Sequence, residues 1–220
     1  MGRIIAFANQ KGGAGKTSGC VMFSWWVRHQ QSKTITVVDS DAQQSCLTWL
    51  KSIDKDFPVV SVTNPDDVME KARLLADQND FVVIDGPGQV SELNRTILLV
   101  ADVAVIPCQP AGLDLHSTHG VFRLVRSSQQ VRGGKPTAVC YLSRAVPNTR
   151  LKNETAAALS QIERVKYLPF VIHHRQVITD CFGQEASLWT LTEKEAKRSA
   201  KTPIREYEAL FQAILEESYE

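Results

Sequence analysis

The chain has 220 residues, 43% hydrophobic and 22% charged, and its 25 lysines and arginines against 24 aspartates and glutamates leave a net charge of +1. Such a composition excludes disorder, collagen-like repeats and coiled coil, and its length favours one well-buried domain. Near neutrality supplies no global field for nucleic acid or an acidic membrane, so any such surface must be a local patch.

An unbroken apolar run opens the chain, Arg3 to Ala8 (RIIAFA). Five more follow: Thr34 to Asp39, Phe81 to Asp85, Ala101 to Pro107, Thr137 to Leu142 and Tyr167 to Ile172. Runs this brief, with little polar alternation, fit strands buried on both faces of a parallel sheet. Between them lie stretches of helical length, about 17–31, 42–52, 66–78, 91–100, 115–130, 150–164 and 203–217. The alternation predicts βαβ units and an α/β fold: a doubly wound, mostly parallel sheet with helices on both faces. Loops are short, no repeat or Pro/Gly/Ser-rich linker divides the chain, and one domain over 1–220 is expected. The polar stretch from about Gly183 to Thr202 reads as an irregular surface excursion before the last helix. No apolar run approaches the ~18 residues of a membrane span, and MGRIIAFANQKGG is not a signal peptide, so a cytoplasmic protein is expected. Cys20, Cys46, Cys108, Cys140 and Cys181 form no CxxC pair and read as reduced core thiols.

The strongest chemical signal is Lys11-Gly12-Gly13-Ala14-Gly15-Lys16-Thr17, between a predicted strand and a predicted helix. Glycines let backbone N–H groups converge on an anion without Cβ obstruction, and the helix aims its positive end at the same place. Lys16 would neutralise the β- and γ-phosphates, and the Thr17 hydroxyl would hold Mg²⁺. The usual GxxxxGK[ST] pattern is not strictly met. Gln10 stands at its first glycine, and a second lysine, Lys11, precedes the glycines.

In that departure the run NQKGGAGKT, Asn9 to Thr17, resembles the deviant Walker A loop of the ParA/MinD family of P-loop ATPases. The resemblance makes Lys11, Gly12, Gly13, Ala14, Gly15, Lys16, Thr17 and Ser18 the nucleotide-binding run. It implies ATP and Mg²⁺ as ligands and a homodimer with two ATP molecules between the subunits. Lys11 would reach across to the partner's nucleotide.

Mg²⁺ and an attacking water both need oxygen ligands at the ends of neighbouring strands. TITVVDSDAQ ends in Asp39 and Asp41 and resembles the family's second motif, usually DxDPQ, with Ala42 in place of the proline. By that resemblance Asp41 positions the water, joining Lys11 and Lys16 as catalytic residues, while Asp39 supports the Mg²⁺ shell. The two roles are not separable from the residues alone. FVVIDGPG looks like a Walker B strand, so Asp85 would hold Mg²⁺ and Gly86-Pro87-Gly88 would form a switch loop.

The likeness runs from Met1 to about Leu188. VIPCQPAGLDL (Val105 to Leu115) resembles the family's post-strand segment. YLSRAVPNTRL occupies the place of its adenine pocket, which makes Ser143 and Arg144 the base-contacting residues. Arg175-Gln176 is similar to a position in the short plasmid partition ATPases of the ParF kind. With the loop so near the first residue, no N-terminal DNA-binding extension is expected. Ile204, Tyr207, Leu210, Phe211, Ile214 and Leu215 form a helical apolar stripe flanked by glutamates, expected to pack on the domain and not on a membrane. Before it, Lys194, Lys197, Arg198, Lys201 and Arg205 outnumber Glu193 and Glu195 and form a candidate patch for DNA phosphates.

The resemblance thus implies a partition ATPase that hydrolyses ATP to ADP and phosphate, dimerises with ATP, binds nucleoid DNA without sequence preference and answers to a ParB- or ParG-like activator. Alternatives are the same switch with a protein cargo (a carboxysome or chemotaxis cluster) or an ATP-dependent biosynthetic enzyme, an amidase or carboxylate-activating synthetase. A nitrogenase-type iron protein would need paired cysteines, and Cys108 and Cys140 lack obvious spacing for that.

Overall fold

Each of the six predicted strands forms, within three residues of its expected ends. The computed structural model describes residues 1–88, 91–110 and 114–219, and the side chains of all but 114–118 among them. The strands are β1 (Arg3–Phe7), β2 (Ile35–Asp39), β3 (Val59–Ser61), β4 (Phe81–Asp85), β5 (Val103–Cys108), β6 (Thr137–Ala145) and β7 (Lys166–His173). They build one sheet in the order β3-β2-β4-β1-β5-β6-β7 in which every pairing is parallel. The seventh strand, β3, is not legible in the sequence: its three residues at the sheet edge are too few to show a period. Ala111 to Leu113, in the middle of VIPCQPAGLDL, lie outside the described residues.

Among the described residues the helices are α1 (Lys16–Gln30), α2 (Ser45–Ile53), α3 (Pro65–Gln78), α4 (Glu92–Val100), α5 (Asp114–Val131), α6 (Arg150–Leu159), α7 (Gln176–Gly183) and α8 (Lys194–Tyr219). Strand side chains alternate between the two faces of the sheet. Ile5, Phe7, Val103, Val105, Val139 and Tyr141 meet α1, α2, α7 and α8 on one side. Ile4 and Ala6 face α3 and α4 on the other, while Ala104, Ile106, Ala138 and Cys140 face α5 and α6. A strand in this position has no polar face to show, which is why the apolar runs are continuous.

Helix α1 is apolar nearly all round because it lies between the sheet and α8. Phe23 meets Phe211 edge-on at 5.2 Å, and Trp26 meets it at 5.7 Å. The predicted apolar stripe of the last helix supplies this lid: Tyr207, Leu210, Phe211, Ile214 and Leu215 are all buried.

The stretch read as an irregular excursion is corrected in two ways. Ala186, Ser187, Leu188 and Leu191 are buried, and α8 begins at Lys194, running through Pro203. A proline at that point reads as the first residue of a helix. Inside one it costs about 3 kcal/mol, a loss opposed by burial of Ala200 and Pro203 itself. Helix α7 went unpredicted because two turns are too short to show a period.

Three strands end level at the site. Phe7 of β1 and Asp39 of β2 both stand in register with Asp85 of β4. The chain leaves β1 toward β2 on one side of β4, and later crosses from β4 to β5 on the far side of β1. Ligands of open α/β sheets bind at the carboxyl ends of strands where the order reverses in this way.

Candidate functional site

The glycine-rich loop leaves β1 and enters α1 as expected. Gly13 and Gly15 adopt φ of 74° and 95°, the left-handed region that favours glycine. Gly15 also needs its missing side chain, since a Cβ there would stand 2.5 Å from Ser143 Oγ. Gly12 differs, for a Cβ on it would meet nothing within 4 Å. Asn9 braces the loop by donating from Nδ2 to Pro107 O (2.7 Å) and accepting the Lys11 N–H on Oδ1 (3.2 Å). Gln10, standing where the common motif has glycine, is accommodated by Gly120 of α5, where a Cβ would fall 2.0 Å from Gln10 Oε1.

Lys16 is buried and folds back over the loop to donate to Lys11 O at 3.1 Å. Burial lowers its pKa from the usual lysine value, while Asp85 and Asp41 pull it back up. Beside it, the Thr17 hydroxyl donates to Asp85 Oδ2 at 2.7 Å. Asp85 is 1% exposed and its Oδ1 is buried without a hydrogen-bond partner. Burial pushes its carboxyl up to about 7, against the Thr17 hydroxyl, which lowers it. A buried carboxylate oxygen left unmatched beside a threonine hydroxyl fits a hard cation that takes oxygen ligands, so Thr17 and Asp85 suit Mg²⁺.

The two acids after β2 separate in space as they did not in sequence. Asp39 is fully buried, and its oxygens accept backbone N–H groups from Asp41 (3.0 Å) and Leu47 (2.8 Å). It ties the loop to the first turn of α2. Asp41 is partly exposed, and its carboxylate accepts the local Gln43 N–H on Oδ1 at 3.0 Å. A cleft of about 740 Å³ opens between Gly12, the Asp41 loop and Pro87-Gly88.

On the other side of the glycine loop lies a cavity of about 170 Å³ that includes Gly15, Ser18, Ser143 and Arg144. Arg144, at φ 53°, donates from Nη1 to Gly13 O at 3.0 Å and so clamps the loop. Apolar walls come from Trp49, Ile172, Ile178, Phe182 and Tyr207, and polar ones from His173, His174, Arg175 and Thr179. Their meeting in one cavity has no signal in the sequence, where Ile172 reads as strand and Tyr207 as core, because they come from α2, β7, α7 and α8, far apart in the chain. Trp49 is held by its indole N–H on Ala186 O at 2.9 Å and meets Phe182 edge-on.

The five cations of the candidate DNA patch are all exposed, and on α8 Lys194, Arg198, Lys201 and Arg205 recur every three or four residues, with Lys197 beside Arg198. The helix therefore gathers them into one stripe. Its buried face holds it to the core.

The VirC1 protein family matches residues 2–215. Protein virC1 of Rhizobium radiobacter is 27% identical over 186 residues, which cover 80% of this chain and 79% of that one. Protein ParA of the same organism is 21% identical over 214 residues, covering 96% and 95%. Among solved structures, an ATP complex of McdA from Cyanothece matches with a TM-score of 0.72 over 93% of this chain and 96% of that one, at 13% identity, a likeness of fold. The family match spans residues 2–215, from the first strand into the last helix, so this chain belongs to the VirC1 protein family, within the ParA/MinD class of P-loop ATPases.

Proposed function

We propose that this chain is an ATP-hydrolysing switch that pairs face to face when ATP is bound, holds DNA without reading its sequence, and segregates or positions a DNA cargo. The observation that carries the reading is the cradle itself: buried Lys16 beside a Thr17–Asp85 pair with one unmatched carboxylate oxygen, opening onto the cleft at Gly12.

In this reading the backbone N–H groups from Gly12 to Thr17 and the Lys16 ammonium hold the β- and γ-phosphates. Thr17 and Asp85 hold Mg²⁺, which when bound neutralises charge shared by those phosphates. Asp39 acts by holding the loop that presents Asp41, and Asp41 orients the water. Lys11 and Gly12 face the second subunit, so that Lys11 reaches its nucleotide. The base and ribose lie on the Ser18, Ser143 and Arg144 side. Pairing doubles the α8 stripe, so nucleotide state sets DNA affinity by avidity. A cargo-bound adaptor of the ParB or ParG kind would stimulate hydrolysis and release.

Sedimentation of the pure chain with ATP, ADP and no nucleotide, repeated with non-specific duplex DNA, tests this. A dimer is expected with ATP alone among the three, and DNA should co-sediment only with that dimer and less so as salt rises. The Lys197→Ala/Arg198→Ala double variant should weaken DNA binding about tenfold while the dimer persists. Single copies at saturating ATP, even for Asp41→Ala, would overturn the switch. A dimer that ignores DNA would favour the second reading, a protein cargo, which the likeness to a carboxysome distribution protein over half of this chain supports.

A further inference from the structure

Three donors converge on one carboxylate behind the base-side cavity. Glu206 of α8 accepts the backbone N–H of His173 on Oε2 at 3.2 Å, and its Oε1 meets His173 Nδ1 at 2.8 Å. The same Oε1 accepts an N–H from Arg175 Nη2. These side chains are largely withdrawn from solvent, at 16% exposure for Glu206, 21% for His173 and 30% for Arg175. His173 and Arg175 line the cavity, and Glu206 does not.

Arg175 is the N-cap of α7 and offers that helix no side-chain hydrogen bond. Its Nε is buried without a partner, so the guanidinium is held where it stands by Glu206 and not by full satisfaction of its own donors. Helix α7 in turn supplies Ile178 and Phe182 to the cavity wall. A charge-assisted cluster of this kind fixes geometry more strongly than neutral hydrogen bonds do.

We propose that Glu206 is a positioning residue for the nucleobase: fixed on α8, it holds the His173–Arg175 corner and so sets the wall against which the base rests, without touching the ligand. This rests on the reading that the cavity takes the nucleoside. Ligands with a base should therefore feel the loss of Glu206, and a bare triphosphate chain in the glycine cradle should not.

Titration calorimetry with Mg-ATP and with Mg-tripolyphosphate separates the two. Glu206→Gln should weaken ATP about tenfold and leave tripolyphosphate unchanged. Arg175→Ala should show the same split, and carries the test should Glu206→Gln not fold. The double variant should lose less than the sum of the two singles, because the two share one contact. Equal weakening of both ligands by Glu206→Gln, or of neither, overturns the proposal. A parent chain that binds ATP no more tightly than tripolyphosphate would instead overturn the assignment of the cavity to the nucleoside.

Discussion

The two sides of the glycine loop are built on opposite plans. The phosphate side comes from one contiguous run, Asn9 to Thr17, and from acids at the ends of two strands level with it. Its central charged groups, Lys16, Asp39 and Asp85, are buried, and Asp85 Oδ1 is unmatched. The proposed base side comes from several separate segments, has walls from Trp49, Ile172, Ile178, Phe182 and Tyr207, and has two of its polar groups, His173 and Arg175, tied together through Glu206. Charge recognition tolerates no substitution of residue type, whereas an apolar wall asks only for shape. The first should therefore fail sharply under mutation and the second by degrees.

The largest effect should come from Lys16→Ala, which removes the buried cation from the phosphate side and should lower ATP affinity at least about a hundredfold by calorimetry. Asp41→Ala should instead bind ATP, stop hydrolysing it and accumulate the dimer, as read by chromatography. A variant that still turns over ATP normally would remove Asp41 from water positioning.

Next in size is a pH effect confined to the phosphate side. In the folded chain burial pushes the Asp85 carboxyl up to about 7, from the ordinary aspartate value of 3.8. The folded state therefore keeps a proton that the unfolded chain has released, and this contribution is full below about 4 and lost as pH rises to about 7. Without nucleotide or Mg²⁺, stability of the parent relative to Asp85→Asn should fall on the order of 3 kcal/mol across that window in denaturant titrations. A flat difference would show that Asp85 carries its charge without cost.

The smallest effect sharpens the contrast within the loop itself. Gly15→Ala forces a side chain into φ 95° and against Ser143 Oγ, and should cost about 2 kcal/mol. Gly12→Ala meets open space and should change stability by less than about 0.5 kcal/mol. Any loss that Gly12→Ala does show should appear in ATP-dependent pairing, measured by sedimentation, because the open space is where a second subunit would approach.

Much of the phosphate side was legible because its chemistry is local. Gly13 and Gly15 announce left-handed backbone, Lys16 and Thr17 follow at helical entry, and an acid closing an apolar strand marks Asp85. Asp39 and Asp41 were legible as a pair but not as individuals. Their difference is one of burial: Asp39 spends one oxygen on the Asp41 N–H of its own loop and the other on the Leu47 N–H of α2, and Asp41 keeps its carboxylate near solvent. The basic run is visible as charge, yet its stretch reads as an irregular excursion. Only when α8 extends back through Pro203 do its cations become a stripe.

What the sequence by itself determined is the layered α/β plan and the anion cradle, since both follow from period, glycine placement and charge within a dozen neighbouring residues. What only the tertiary structure decided is the base-side cavity, the bracing of Gln10 by Gly120 and the Glu206 corner. Each joins residues from distant segments, and no local pattern records which apolar side chains will meet once helices dock on a sheet.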